Sequence, residues 1–319
     1  MSTMSTMSEH VQPHYRSYLQ QGDTIALVCT GTPCDSLDQV EQCRNYLDQR
    51  GFNPLYTTST YLKQSAEQRA RDLLAYLLDP HVKMIWSLRG GEGSADLLPF
   101  IAPHLNTLKN LEPKLMMGFS DFTPLLVYFQ DKLSWPTIHG VGLRQLALNM
   151  VSHNTEELTW ACLFNPCLFN PSLRPLNCHI HGENIGELIG GNMTLVCLSI
   201  GDLWQFSAKG KILLLEEVNE EAYKVRRALN YLMRVGLFDG VLGVIFGGFT
   251  LSKPHFAATE SEAVQKVLAE FAQNLSVPAY YTAQISHGLE NYPVPFYRSH
   301  ADQQTLARPD IELRGSAQK

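Results

Sequence analysis

From residue 23 to about residue 149, short β-type apolar runs alternate with stretches whose apolar positions recur every three or four residues. That alternation predicts a parallel sheet covered by helices. The first strand is expected at residues 24–29. Ser36-Leu-Asp-Gln then offers a capping box ahead of an apolar stripe of Leu37, Val40, Cys43 and Leu47, with Gly51 as the stop. Ser65-Ala-Glu-Gln repeats the signature before Leu73, Leu74, Leu77 and Leu78. Strands are expected at residues 83–88 and 114–119. One runs into Arg89-Gly-Gly-Glu-Gly-Ser, the other into Ser120-Asp and an apolar helix over residues 122–129. Both loops thus fall at carboxyl ends of strands, where open α/β sheets keep their sites.

Between residues 165 and 184 the pattern breaks into Asn-Pro-Cys-Leu-Phe-Asn-Pro-Ser-Leu-Arg-Pro, which can neither extend a helix nor sit in a central strand. This stretch is read as a linker. It separates an amino-terminal domain at residues 23–164, preceded by a flexible segment at 1–22, from a carboxy-terminal domain at 185–319. In the second domain a Gly190-Gly-Asn turn precedes an apolar segment at 193–200, and a strand over 212–215 ends in Glu216-Glu217. A helix carrying Val225, Leu229, Leu232 and Met233 follows, with Gly236 as its stop. A buried strand over 240–246 closes on Gly247-Gly248, a helix spans 261–274, and residues 285–295 form a Gly/Pro-rich loop. The last dozen residues read as a frayed tail.

Composition narrows the function. The 319 residues are 45% apolar and carry 25 basic against 31 acidic side chains, a formal charge of −6. Neither nucleic acid nor an anionic membrane is an expected partner, and no apolar run reaches the ~18 residues that suggest a spanning helix. The first residues carry no basic flank, apolar core or small-residue cleavage site, so a cytoplasmic protein is expected. Seven cysteines, at positions 29, 34, 43, 162, 167, 178 and 197, are odd in number and form no C-x-x-C pair, which suggests reduced thiols. Cys162 and Cys167 lack a second ligand pair, and His179 with His181, near Glu183 or Glu187, reads as a solvated pair at a domain edge. No metal is expected.

Ser120 stands at a sharp strand-to-helix turn, which lifts a hydroxyl clear of the sheet and close to helix N–H groups. It could equally be a helix cap. The sequence Gly118-Phe-Ser-Asp-Phe differs from G-x-S-x-G at its last position. A nucleophilic serine requires a base and an orienting carboxylate. Of eleven histidines, His287 lies in a loop that presents side chains, and His139 before Gly140 is next; His10, His14, His153, His255 and His300 sit in polar surroundings. Glu216 and Glu217 point to opposite faces of their strand, so one at most serves a given site. The residue 89–94 loop fits no phosphate-binding motif, but its glycines can bring backbone N–H groups close to a substrate oxygen, as an oxyanion hole requires.

In chain order, these pieces resemble the LD-carboxypeptidases of the serine peptidase family that also contains the microcin C immunity peptidases. The resemblance is carried by Ile85-Trp-Ser-Leu-Arg-Gly-Gly-Glu-Gly-Ser, Met117-Gly-Phe-Ser-Asp-Phe-Thr, Gly190-Gly-Asn, Leu213-Leu-Leu-Glu-Glu-Val-Asn-Glu-Glu-Ala-Tyr, Gly236-Leu-Phe-Asp-Gly, Gly247-Gly-Phe-Thr and Ser286-His-Gly-Leu-Glu-Asn-Tyr-Pro-Val-Pro, across residues 20–300. It implies a Rossmann-like amino-terminal domain with a parallel sheet, a smaller α/β carboxy-terminal domain, and a site at their interface. It also implies a triad of Ser120, Glu216 and His287, Glu217 standing where the family has Asp, and an oxyanion hole from the N–H groups of Gly91 and Asp121. Arg89 and Asn192 are the candidate substrate-binding side chains. The chain departs from the family at Arg226, Val141 and Phe119, none of them in the triad.

The implied activity is cofactor-free release of terminal D-alanine from a murein tetrapeptide by a serine carboxypeptidase of peptidoglycan recycling, with a small muropeptide as substrate and a homodimer as the assembly. Hydrolysis of an aminoacyl sulfamoyl nucleotide, as in microcin C immunity, is the alternative with the same triad. A peptide-binding protein in which Ser120 is only a cap is a reading of another class.

Overall fold

The computed structural model describes residues 19–165, 171–177, 186–251 and 258–296. Two sheets organise the chain. The first is built from β1 (Thr24–Val28), β2 (Asn53–Leu55), β3 (Val82–Ser87), β4 (Leu115–Gly118) and β5 (Thr137–His139), in the order β2-β1-β3-β4-β5 with all neighbours parallel. Helices α1 (Leu37–Asp48), α2 (Ala66–Leu78), α3 (Leu98–Ile101), α4 (Leu105–Leu108), α5 (Thr123–Leu133), α6 (Leu143–Ala147) and α7 (His153–Phe164) complete this half. It is the parallel, helix-covered sheet that the alternating pattern predicts.

The predicted caps form, but only in half. Ser36 and Ser65 accept from the N–H groups of Gln39 and Gln68, as N-caps do. The reciprocal half differs, because Gln39 accepts from the N–H of Asp35, and Gln68 turns to Asp72. The chain is also anchored before the first strand: Leu19 is buried, and its N–H donates to Leu163 O at 2.8 Å.

The second sheet comprises β6 (Arg174–Pro175), β7 (Leu188–Asn192), β8 (Ile212–Val218), β9 (Gly243–Thr250) and β10 (Ala279–Tyr281), in the order β6-β10-β9-β8-β7. Its helices are α8 (Met193–Leu198), α9 (Ala222–Arg234) and α10 (Ala258–Ala272). Four strands run parallel, and β6 joins antiparallel at the edge. The proline-rich stretch at 165–184 thus supplies a strand where proline is tolerated. His179, His181, Glu183, Cys167 and Cys178 lie outside the described residues.

Glycine-containing segments read as turns or stops prove to be strand. Gly190 and Gly191 lie within β7 at φ +125° and +130°. A Cβ on Gly190 would meet Leu214 O at 2.1 Å. Strand β9 runs through Gly247 and Gly248, where the pairing with β8 shifts: Leu215 faces Phe246, but Glu217 faces Phe249. One extra residue sits on the β9 side, a bulge.

Two features join the halves. Strand β11 (Val294–Pro295), late in the chain, pairs antiparallel with β5 and so completes the first sheet. Helix α5 is apolar around most of its circumference, and Thr123 through Gln130 are all buried, as expected of a helix enclosed on every side. Its Leu125, Leu126 and Phe129 belong to a core that continues into Leu213, Leu215 and Val244 of the second sheet. Gln130 crosses the junction, donating from Nε2 to Leu188 O and to Phe296 O, both at 2.8 Å. Replacing it by Met leaves two buried carbonyls without donors. Gln130→Met is expected to cost roughly 2–6 kcal/mol in urea unfolding, at 1–3 kcal/mol per orphaned group; an unchanged midpoint would show that the clamp contributes nothing.

Candidate active site

Strand β8 delivers Glu216 and Glu217 as neighbours, inside the strand rather than past its end. The pleat separates them. Glu216 is 0% exposed; its Oε2 lies 2.8 Å from Nδ1 of His287 and its Oε1 3.6 Å from Nε2 of His139. Glu217 accepts from Asn192 Nδ2 and Thr194 N, both at 2.9 Å, from Thr194 Oγ1 at 2.7 Å, and from Val218 N at 2.9 Å. One carboxylate therefore serves the imidazoles, and the other ties the start of α8 to the sheet.

Electrostatics follow from those partners. Burial alone would raise the Glu216 carboxyl, but the neighbouring imidazoles of His287 and His139 outweigh it and hold the group well below the ordinary carboxylate range. Burial also opposes charge on His287, yet the Glu216 carboxylate prevails, so His287 titrates above its ordinary value. The pair stabilises the fold fully between pH 4.5 and 6.5, the two ordinary values. That contribution fades as pH falls through the lowered Glu216 value or rises through the raised His287 value. Glu217 is shifted upward by burial, which its hydrogen bonds only partly offset.

The His287 loop is fixed by close approach to β9. Gly248 N–H donates to Ile285 O at 2.7 Å, and a Cβ there would stand 2.4 Å from Ser286 Cβ. A Cβ on Gly247 would stand 2.6 Å from Ile285 O and 2.8 Å from Glu216 Cβ. Ser286 Oγ donates to Glu290 O at 2.8 Å and accepts from Gly288 N at 3.0 Å. From the first half, Ser152 N and Thr155 Oγ1 both donate to Leu289 O. The loop thus rests on both domains.

Ser120 follows β4 directly and sits at φ +56°, a left-handed conformation that costs a non-glycine residue about 1–2 kcal/mol. The serine caps neither the 3-10 turn it begins nor α5, for no side-chain cap bond forms at either. Its neighbour Phe119 places its ring 4.9 Å from that of His287, so the serine turn and the imidazole share one side of the interface. His287 Nε2 has no hydrogen-bond partner among the described residues.

Beside Ser120 stands the glycine-rich loop after β3. A Cβ on Gly90 would lie 2.9 Å from Ser120 Cβ, 3.0 Å from Ser120 Oγ and 3.8 Å from Asp121 N, whereas Gly91 faces Thr32. Gly90 is the residue here that sequence pattern did not single out. Asp121 is buried and accepts from Ser94 N at 3.1 Å and Ser94 Oγ at 2.6 Å. Burial pushes its carboxyl up to about 6 against those bonds. The turn and the loop are thereby locked together.

The remaining candidates are occupied. Asn192 pairs with Glu216 in the β7–β8 register, but its amide donates to Glu217 and accepts from Leu195 N at 3.2 Å. Arg89 donates to Pro33 O at 3.2 Å and to Asp35 Oδ1 at 3.1 Å. Arg226, on the surface of α9, pairs with Glu270 at 2.9 Å. Among the described residues no group of three His, Cys, Asp or Glu side chains is arranged to hold a metal ion, and no helix is long and apolar enough to cross a membrane.

Residues 25–140 match the LD-carboxypeptidase N-terminal domain, and residues 185–299 its C-terminal domain. The chain is 33% identical over 240 residues to a Rickettsia conorii protein provisionally named a carboxypeptidase, covering 73% of this chain and 72% of that one. The chain belongs to the LD-carboxypeptidase family. It is also 30% identical over 243 residues to the murein tetrapeptide carboxypeptidase of Pseudomonas aeruginosa, covering 74% and 77% of the two chains. A MccF-like protein of Bacillus anthracis has the same fold, with a TM-score of 0.73 at 22% identity, over 88% of this chain and 92% of its own. In family terms, Ser120 falls in the first matched domain, and Glu216 and His287 in the second.

The close face of Gly90 yields a sharp expectation for a carboxypeptidase of this family. Its backbone does not need glycine, but a methyl group there must displace the Ser120 side chain or the turn that strains it. Gly90→Ala is expected to lower kcat/KM by about 10²-fold, the cost of misplacing a reacting group by about 1 Å, while the melting temperature stays within a few degrees. Wild-type turnover in this variant would contradict the placement.

Proposed function

We propose that the protein is a serine-type LD-carboxypeptidase that releases terminal D-alanine from murein tetrapeptides in the cytoplasm, as a step in peptidoglycan recycling. Ser120 is the nucleophile, His287 the base and Glu216 its orienting partner. The observation that carries this reading is the buried 2.8 Å pairing of Glu216 with His287 beside a serine held at φ +56°. The name of the Pseudomonas aeruginosa relative supports the substrate.

The geometry supports these roles. Nδ1 of His287 faces Glu216, which leaves Nε2 as the nitrogen to take the Ser120 proton and later return it to the leaving amine. Glu216 fixes the tautomer and stabilises the imidazolium. The space against Gly90, bounded by Ser120 Oγ and the Asp121 N–H, suits a developing oxyanion, with the Gly91 N–H as second donor. Such activation of an alcohol needs no ion. Arg89 is held by an Asp35 side chain that is 64% exposed, a weak pairing that a substrate carboxylate can exchange for its own.

Assay of D-alanine release from a defined murein tetrapeptide tests the reading. Ser120→Ala is expected to lower turnover about 10⁴-fold in a folded protein, with no effect of a chelator on the wild type. Near wild-type rates in that variant would end the assignment. Cleavage of an aminoacyl sulfamoyl adenylate, with the tetrapeptide left intact, would favour the microcin-type reading suggested by the MccF-like fold.

A pH profile provides a separate check. His287 acts as a base only when neutral, and its pairing with Glu216 raises its titration. The acidic limb of kcat/KM is therefore expected to have its midpoint above 6.5. A limb below that value would mean that the base is another group.

A further inference from the structure

Glu216 has two oxygens, and the triad uses one. A buried carboxylate is stable only when its remaining lone pairs are also met by donors. Oε2 stands 2.8 Å from His287 Nδ1, whereas Oε1 stands 3.6 Å from Nε2 of His139, beyond hydrogen-bond distance. His139 is itself 0% exposed, and neither of its ring nitrogens has a hydrogen-bond partner. Two fully buried polar side chains with unmet hydrogen-bonding capacity thus face one another.

The ring of His139 is held in place from three sides. It stacks on Phe296 at 6.2 Å and 28°, and it meets the edge of Phe119 at 6.4 Å and 83°. Gly191 of the second sheet leaves room for it, since a Cβ there would already touch His139 Cδ2 at 3.4 Å. The backbone is fixed too, His139 pairing with Gly118 on one side and Val294 on the other. Glu216 comes from the second sheet and His139 from the first, so their contact spans the domain interface.

We propose that His139 is a positioning residue of this site: its Nε2–H engages Oε1 of Glu216, so that two imidazoles from opposite domains share one carboxylate. The inference rests on the assignment of His287 as the base. By withdrawing negative charge from Glu216, His139 limits how tightly that carboxylate holds the His287 proton. The other groups that bear on His287 are Glu216 and, more weakly, Glu217, both on β8; His139 acts on it through Glu216. Removing the donor therefore strengthens the pull of Glu216 and raises the titration of His287.

Histidine-labelled full-length protein allows the His287 titration to be followed by NMR, assigned with a His287→Gln variant and independent of any substrate. His139→Phe keeps an aromatic ring between Phe119 and Phe296 but lacks the donor, and His139→Leu is a second donor-free variant. His139→Gln places an amide N–H near the position of Nε2. The donor-free variants are expected to shift the His287 midpoint upward by roughly half a unit or more, within the range of a lost hydrogen bond to a charged partner. His139→Gln is expected to restore it. A wild-type midpoint in whichever donor-free variant folds, or an equal shift in His139→Gln, would overturn the proposal. Labelling of Ser120 by a serine-directed phosphonate, measured on the same wild-type sample, reports separately on the nucleophile: its failure speaks against the triad, not against the contact between His139 and Glu216.

Discussion

A carboxylate cannot be left alone inside a protein, and Glu216 is wholly enclosed. Its charge persists there only because an imidazole stands against it, and that imidazole belongs to a loop resting on both halves of the molecule. Removing one partner of such a buried pair costs roughly 3–5 kcal/mol, chiefly because the other charge is stranded. The same contact, which in the proposed mechanism orients the base, thus ties the candidate site to the docking of the two domains. A misdocked molecule would lose stability and function together.

Glycine makes the crowding possible. At Gly247 and Gly248 the 285–287 loop comes closer to β9 than any side chain would allow, and the bulge at that point brings Glu216 and His287 within contact. At Gly90 the loop after β3 lies over Ser120. The serine's own backbone is left-handed and strained, and the surrounding structure over-determines it. Ser94, bonded to Asp121 on one side and to Thr30 Oγ1 at 2.6 Å on the other, links the turn to the loop after β1. Strain at Ser120 is therefore balanced by several short-range contacts rather than by one.

Much of this was legible before any coordinates. The three- and four-residue apolar spacing in α1, α2 and α9 reports most of the buried face, although Leu37 and Leu78 at its margins are exposed and Met233 is half-buried, and strand-to-loop transitions after β3 and β4 mark the candidate site because chain direction fixes where loops converge. What escaped the pattern shares one cause. Glycines inside strands look like punctuation, since a missing side chain signals a turn as readily as a close neighbour; only tertiary contact distinguishes the cases at Gly190, Gly191, Gly247 and Gly248. Arg89 likewise reads as a candidate substrate-binding side chain, and its partner Asp35, fifty-four positions away, is visible only in the fold. Strand β11 is two residues long and pairs with β5, a long-range partnership that local periodicity cannot express.

Glu216 and Glu217 show how little separates a carboxylate paired with imidazoles from one held by neutral donors. They are adjacent, identical in chemistry and both buried, at 0% and 3% exposure. Strand alternation gives each a different face, and what lies on that face decides the outcome. On one side are imidazoles, which can carry positive charge and so keep Glu216 ionised. On the other are neutral donors from Asn192, Thr194 and Val218, which satisfy the oxygens of Glu217 without cancelling its charge, and burial accordingly drives its titration upward. Neutral hydrogen bonds suffice to anchor the start of α8, a task for which the charge state matters little. In the proposed mechanism the base needs an ionised partner, and Glu216, the residue facing the histidines, is the carboxylate held ionised by its neighbours.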